Sequence, residues 1–141
     1  MKTKLLYRPV GATELLLIIE SGYQAFPPRL EWQPIFYPVL NKAYADQIAL
    51  DWNTKDAFSG YCGFITCFEL EAAYLEQFPI ENVGGKNHDE LWVPAEKLDE
   101  FNQHILNNIQ VIDAFFGADF KRTEHKALND LYQKFGKNEI G

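Results

Sequence analysis

The run YCGFITCFEL, residues 61–70, constrains the fold more than any other stretch. Phe64, Thr66 and Phe68 alternate with Gly63, Ile65 and Cys67, and residues of both parities are mostly apolar. Successive side chains of a strand point to opposite faces, so this pattern predicts a strand buried on both sides. A strand of that kind belongs in the middle of a sheet with packing partners above and below it.

The remainder of the chain supplies those partners in irregular order. Residues 4–8 read as a first strand, with Leu5 and Tyr7 on one face, Leu6 and Arg8 on the other, closed by Pro9 and Gly11. Thr13 is placed to cap a helix over 14–21 that Gly22 stops, and its apolar run from Leu15 to Ile19 predicts burial. Residues 23–34 are irregular, because Pro27 and Pro28 suit neither a helix interior nor a central strand. A short strand over 35–37 ends at Pro38. Asn41 then caps a helix over 42–52, with Tyr44, Ala45, Ile48, Ala49 and Trp52 in its apolar stripe. A polar loop at 53–59 leads to the central strand. Beyond it come a short helix at 71–78, an edge strand at 79–83, a strand at 91–93, a helix at 95–106 and a last strand at 109–116. From Ala118 an amphipathic helix sets Ala127, Leu128, Leu131 and Phe135 against Lys121, Arg122, Lys126 and Lys134, and no element is assigned to 137–141. Strands and helices mixed without regular alternation predict an α+β fold, with largely antiparallel sheets and flanking helices. The expected organisation is a core domain over 1–117 and a C-terminal helix in 118–141, packed on the core or extending from it.

Charge and cysteine usage narrow the function classes. The formal net charge is −7 over 141 residues, which opposes a nucleic-acid backbone or an anionic membrane in bulk and leaves a local basic pocket open. The apolar fraction of 47% is enough for a core without disulfides or metal. Cys62 and Cys67 have opposite parity on the central strand, which disfavours mutual pairing, and they fit no zinc pattern. Two such cysteines suit a reduced compartment. No apolar run reaches transmembrane length and the first residues lack a signal-peptide run, so the expectation is a cytoplasmic protein without a membrane partner.

Chemistry is sought first in GGKNHDELWVPAEKL, residues 84–98. Two glycines permit an unusual turn, a polar loop follows, and Glu90 stands at the mouth of a short bulky strand that Pro94 ends. A carboxylate held there is rigid yet open to water and substrate; it equally suits a solvated strand end. Metal chemistry lacks its pattern: His88, His104 and His125 share no ligand spacing, and Glu100 with His104 fits a solvated helix face. Neither cysteine has a sequence-local base, Ser21 and Ser59 lie in no nucleophile elbow, and Gly84–Gly85 lacks the residues of a phosphate loop.

Three residues remain: Arg8 on the first strand, Tyr37 before a capped helix, and Glu90 at a late strand. They lie in LYRPVG (6–11), FYPVLNKAYADQIALDW (36–52) and HDELWVP (88–94). In order and context these motifs resemble the ADP-ribosyltransferase superfamily, which includes bacterial toxins and the poly-ADP-ribose polymerases. More closely, the run 5–115 is similar to small bacterial proteins labelled "ADP-ribosylation/crystallin", through its PPRL, QPIFYPVLN, DWN and ELWVPAEKLDEFN segments. The acidic magnesium-binding motifs of the hydrolases behind the second half of that label are absent from the sequence.

The resemblance implies an ADP-ribosyltransferase-like fold, NAD as substrate and no metal. Glu90 would be the catalytic carboxylate, stabilising oxocarbenium character on the ribose. Arg8 would hold the ribose or pyrophosphate. Tyr37 would stack on the nicotinamide, with Tyr44 or Trp52 behind it and His88 completing the cofactor-binding set. Pro9–Val10 replace the usual small residues after the basic one, Pro38 stands where serine or threonine is common, and His88 occupies the place of a second acidic or glutamine residue. That last departure leaves the acceptor of ADP-ribose unknown. Other roles stay open from the residues alone: a strand cap for Arg8, a core or rim ring for Tyr37, a loop histidine for His88, and for Arg29 either a pocket wall or a partner for Glu31. The contrasting reading of the whole chain is a non-enzymatic acidic binding module of the antitoxin or immunity kind, or an inactive nucleotide binder.

Overall fold

A computed structural model describes residues 1–123 and 125–136 of the chain. The doubly apolar run forms β3 (Cys62–Glu71), which lies between β1 (Thr3–Val10) and β7 (Leu106–Phe116) and is antiparallel to both. Two smaller antiparallel pairs accompany this sheet. β2 (Ile35–Phe36) pairs with β6 (Val93–Pro94), and β4 (Ile80–Asn82) pairs with β5 (Asp89–Leu91).

Val39 joins the pieces. Its N–H donates to the Tyr7 carbonyl at 2.8 Å and its carbonyl accepts from the Tyr7 N–H at 3.0 Å. On the other side, the Leu91 N–H donates to the Pro38 carbonyl at 2.9 Å and the Leu40 N–H to the Asp89 carbonyl at 3.2 Å. Val39 is thus opposite Tyr7 and Glu90 at once, both antiparallel. The strands run side by side in the order β7, β3, β1, segment 38–40, β5, β4.

Alternation divides the core between two faces. On one lies α2 (Lys42–Asp51), whose Tyr44, Ala45 and Ala49 pack on Val39 and Ile65, with Tyr7, Ile48 and Phe115 around them. Gly63 admits the helix there, since a Cβ would stand 2.8 Å from Ala49 Cβ and 2.9 Å from Asn53 Cβ. The other face carries Leu6, Val10, Phe64 and Phe68. Against it pack Leu15 and Ile18 of α1 (Ala12–Glu20), Leu98 and Phe101 of α4 (Leu98–Gln103), and Leu128 and Phe135 of α5 (Lys126–Phe135). Rings meet edge to face or tilted, as Phe26 on Phe68 at 4.8 Å and Phe36 on Phe101 at 5.5 Å, the geometry their quadrupoles favour. The fold is α+β, with antiparallel sheets and five helices among the described residues.

Several local expectations are corrected. Gly11, not Thr13, is the N-cap of α1, and the Thr13 hydroxyl instead donates to the Phe58 carbonyl at 3.2 Å. The loop at 53–59 is two 3₁₀ turns with Asn53, Thr54 and Ser59 buried. β3 runs on to Glu71, which leaves only α3 (Ala72–Leu75) of the helix expected over 71–78. The helix expected at 95–106 is a 3₁₀ turn and α4, because the chain enters β7 at Leu106. The last helix begins at Lys126 rather than Ala118, and Phe120 is drawn onto Phe116 and Tyr132 at 4.8 and 5.3 Å. Residues 137–141 lie outside the described residues. Among the described residues no helix is long and apolar enough to cross a membrane.

The seat of α2 on β3 is testable. Gly63→Ala is expected to cost about 1–3 kcal/mol by overpacking against a helix backbone, lowering Tm by roughly 3–12 °C. An unchanged thermal transition would mean that α2 does not close on β3 at this point.

Candidate functional site

Glu90 occupies the middle of β5 and is 8% exposed. The expectation of a carboxylate at an open strand mouth is corrected here. The backbone on either side of it is tied to segment 38–40, and α2 covers its side chain. Tyr44 donates its hydroxyl to Glu90 Oε2 at 2.6 Å, and Trp92 donates Nε1–H to Oε1 at 3.0 Å. Both oxygens are therefore held by neutral donors. No lysine or arginine forms an ion pair with Glu90 among the described residues.

Local sequence positions each partner. The Asn41 side chain accepts from the Tyr44 N–H at 2.8 Å, the N-cap that sets the first turn of α2. Trp92 lies two residues after Glu90 along an extended segment, so the two share a side. His88 stacks on Tyr44 with ring centroids 4.4 Å apart and contacts Gln47 Oε1 through Nε2 at 3.0 Å. Gly85 makes room for the ring, because a Cβ there would stand 2.3 Å from His88 Nδ1. Burial, then the hydrogen bond and charge of Glu90, push the Tyr44 phenol well above its ordinary value, and Tyr37 adds to the push.

Arg8 lies elsewhere. Tyr7 and Glu90 are both opposite Val39 and share its face, so Arg8, next along β1, is directed to the other face. There it is 8% exposed and bound by Glu14 of α1, through Nε at 2.8 Å and an Nη at 2.9 Å. Burial alone would lower its pKa; the Glu14 carboxylate outweighs burial and holds it above its ordinary value. The guanidinium also lies 4.9 Å from the Phe36 ring centre and 5.7 Å from that of Tyr37. Tyr37 is 40% exposed. It stands where the ends of β1 and β5 meet the start of segment 38–40.

The structure thus brings Glu90, Tyr44 and His88 into contact, and Arg8 with Tyr37. Trp52 joins neither group. It follows the last turn of α2, about 12 Å along the helix axis from Tyr44, and is 63% exposed. Three residues beyond the expected catalytic and cofactor-binding set complete the picture: Trp92, Glu14 and Arg29, the last open from the sequence as a pocket wall or a partner for Glu31. Trp92 was legible from its i, i+2 relation to Glu90. Glu14 and Arg29 meet Arg8 and Tyr37 only through tertiary packing. Arg29 is not paired with Glu31; its Nε donates to the Ile35 carbonyl at 3.1 Å, and its guanidinium lies 5.9 Å from the Tyr37 ring centre.

Other chemistries find less support. Both cysteines are free, and burial pushes the Cys62 thiol up to about 12 and Cys67 upward as well, so neither is an activated nucleophile. Among the described residues no group of three or more His, Cys, Asp and Glu converges on one point. One hollow of about 350 Å³ is bounded by Leu6, Leu40, Leu75, Phe78 and Leu91 among others, and another of about 370 Å³ by Gln24, Asn102 and Asn108 among others. Neither includes Arg8, Tyr37 or Glu90. No protein-family model, curated protein or solved structure matches the chain.

Tyr44→Phe removes a hydrogen bond to a buried carboxylate and is expected to cost about 1–3 kcal/mol in urea denaturation. The wild-type stability it contributes through the phenol also depends on pH. A tyrosine whose folded pKa is raised contributes fully below its unfolded value, about pH 10, and that contribution is lost as pH climbs toward the folded value. Tyr44 and Tyr74, the latter raised by burial and then Glu100, are expected to ionise only together with alkaline unfolding, followed by phenolate absorbance. Ionisation of every tyrosine near pH ~10 with the fold intact would contradict this.

Proposed function

We propose that this chain is an ADP-ribosyltransferase-like protein that binds NAD and breaks its nicotinamide–ribose bond, with Glu90 as the catalytic carboxylate. The observation that carries the reading is a buried carboxylate with no cation beside it. Burying a carboxylate without a cation is costly, and here two neutral donors, the Tyr44 hydroxyl and the Trp92 indole, hold its two oxygens. A carboxylate fixed in a water-poor setting is suited to stabilising positive charge that develops beside it.

In the proposed reaction the C–N bond to nicotinamide breaks, its electron pair leaves with nicotinamide, and the ribose carbon gains oxocarbenium character opposite Glu90. Water or an acceptor hydroxyl then bonds to that carbon and loses its proton. Tyr44 and Trp92 would hold the carboxylate in place, and Tyr37 would offer a ring surface at the end of the sheet. His88, stacked on Tyr44, would position that phenol. Arg8 lies on the opposite face, and with two of its N–H groups bound to Glu14 it would not contact the substrate directly. The acceptor is not defined by these residues.

A second reading has its own observation. Trp32, Trp52 and Phe58 are 75%, 63% and 90% exposed, on a chain of net charge −7. Exposed aromatics on an acidic surface suit a basic protein partner, without chemistry.

Glu90→Gln separates the two. The amide retains an acceptor for Trp92 and can donate to the Tyr44 oxygen, so Tm is expected to stay within about 2–4 °C. Nicotinamide release from NAD is expected to fall by about two to three orders of magnitude. NAD at ~100 times its dissociation constant should add about 2.7 kcal/mol to wild-type stability. Full turnover in the variant, or no thermal shift with NAD, would favour the binding module.

A further inference from the structure

Arg29 is the cation at this end of the molecule that no carboxylate claims. Arg8 spends two of its donors on the two oxygens of Glu14, whereas Arg29 forms no ion pair among the described residues. Its Nε is occupied by the Ile35 carbonyl, a bond that fixes the plane of the guanidinium. The four N–H groups of its two terminal nitrogens remain, a planar fork suited to two oxygens at once. The backbone that carries it is restrained too. Phe26 is buried in the core, Pro27 and Pro28 follow, and a turn closes through the Gln33 N–H to the Leu30 carbonyl at 2.8 Å.

The surroundings select the ligand. Arg8, Arg29 and Glu14 together carry one net positive charge in a chain of net charge −7. Burial first, then the charge of Arg8, works against the charged form of Arg29 by more than the charge of Glu14 offsets, so an incoming anion relieves an existing cost. The half-open ring of Tyr37 lies against both guanidiniums, so an anion here would have an aromatic surface beside it. An anion bonded to a flat heterocycle fits both features; an isolated carboxylate fits one.

We propose that Arg29, backed by Arg8, is the anion subsite of this protein and takes the phosphate or pyrophosphate of a nucleotide whose ring lies against Tyr37. This deepens the NAD reading, on which it rests, and moves the phosphate contact from Arg8 to Arg29, for which the sequence leaves open a pocket wall or a partner for Glu31. The shared ligand chemistry is a pair of phosphate oxygens, which a free nucleotide or inorganic pyrophosphate also carries.

Titration calorimetry of the full chain with ADP-ribose, ADP, adenosine and inorganic pyrophosphate tests it. Arg29→Gln is expected to weaken ADP-ribose and ADP by about ten- to hundredfold, Arg29→Lys to recover only part of that, and binding of adenosine to be unchanged. Pyrophosphate binding without any gain for ADP would locate the anion but overturn the ring contact. A second readout needs no variant: ADP is expected to protect Arg29 of the wild-type chain from an arginine-selective dicarbonyl reagent, read by mass spectrometry. Equal ADP affinity in wild type and Arg29→Gln, or no protection, overturns the subsite even where Glu90-dependent nicotinamide release persists. ADP binding lost with Arg29, alongside nicotinamide release that ignores Glu90, keeps the subsite and removes the transferase reading.

Discussion

The double engagement of Val39 is the constraint on which the rest of the structure depends. A single extended residue hydrogen-bonds β1 on one side, while its immediate neighbours bond β5 on the other. Adjacent strands lie about 4.8 Å apart, so this residue sets Tyr7 and Glu90 roughly 10 Å from each other across the sheet. Without it the hairpin of β4 and β5 would have no fixed relation to β1. Pro38 on one side and Asn41 on the other keep the segment short. Proline lacks the N–H to continue a ladder, and the asparagine turns the chain into α2. The same turn delivers Tyr44 onto Glu90, so the joint of the sheet and the clamp on the carboxylate are one construction.

Two buried charges are handled in opposite ways. Arg8 is neutralised by a two-point contact with Glu14, lies on the Phe36 ring and faces the large core. Glu90 receives only neutral donors and faces the smaller core under α2. An ion pair in the interior satisfies both members and leaves little electrostatic field outside. A carboxylate held by a phenol and an indole has no paired cation beside it. This asymmetry places the proposed chemistry at Glu90, and it shifts the proposed anion contact from Arg8 to Arg29.

A second set of groups repeats the pattern on the surface. Tyr74 donates to Glu100 at 2.8 Å and stacks on His104 at 3.7 Å, much as Tyr44 binds Glu90 and stacks on His88. Glu100 and His104 are exposed, however, and water screens a carboxylate in that position. Residue types in the right order are therefore not sufficient; burial under α2 is what distinguishes the first constellation from the second.

The one-dimensional pattern determined a good deal. The alternating apolar run of β3 specified a central strand, because period-two burial on both faces has no other solution. Asn41 specified the start of α2, since its side chain needs only a backbone N–H three residues on. Elements whose limits depend on neighbours do not show their ends in the sequence: pairing with Thr3 keeps Glu71 in β3 instead of the following helix, and Phe120 packs on Phe116 and Tyr132 instead of opening α5. The site divides in the same way. Glu90, Tyr37 and Arg8 stand out as residue types, yet their exposure, their faces and their partners do not. Only the folded chain decided that Glu14 takes Arg8, that Tyr44 takes Glu90, and that Arg29 is left over. Those contacts join residues up to 46 positions apart, and which side chains meet at such separations is set by sheet register and helix seating, to which local periodicity is blind.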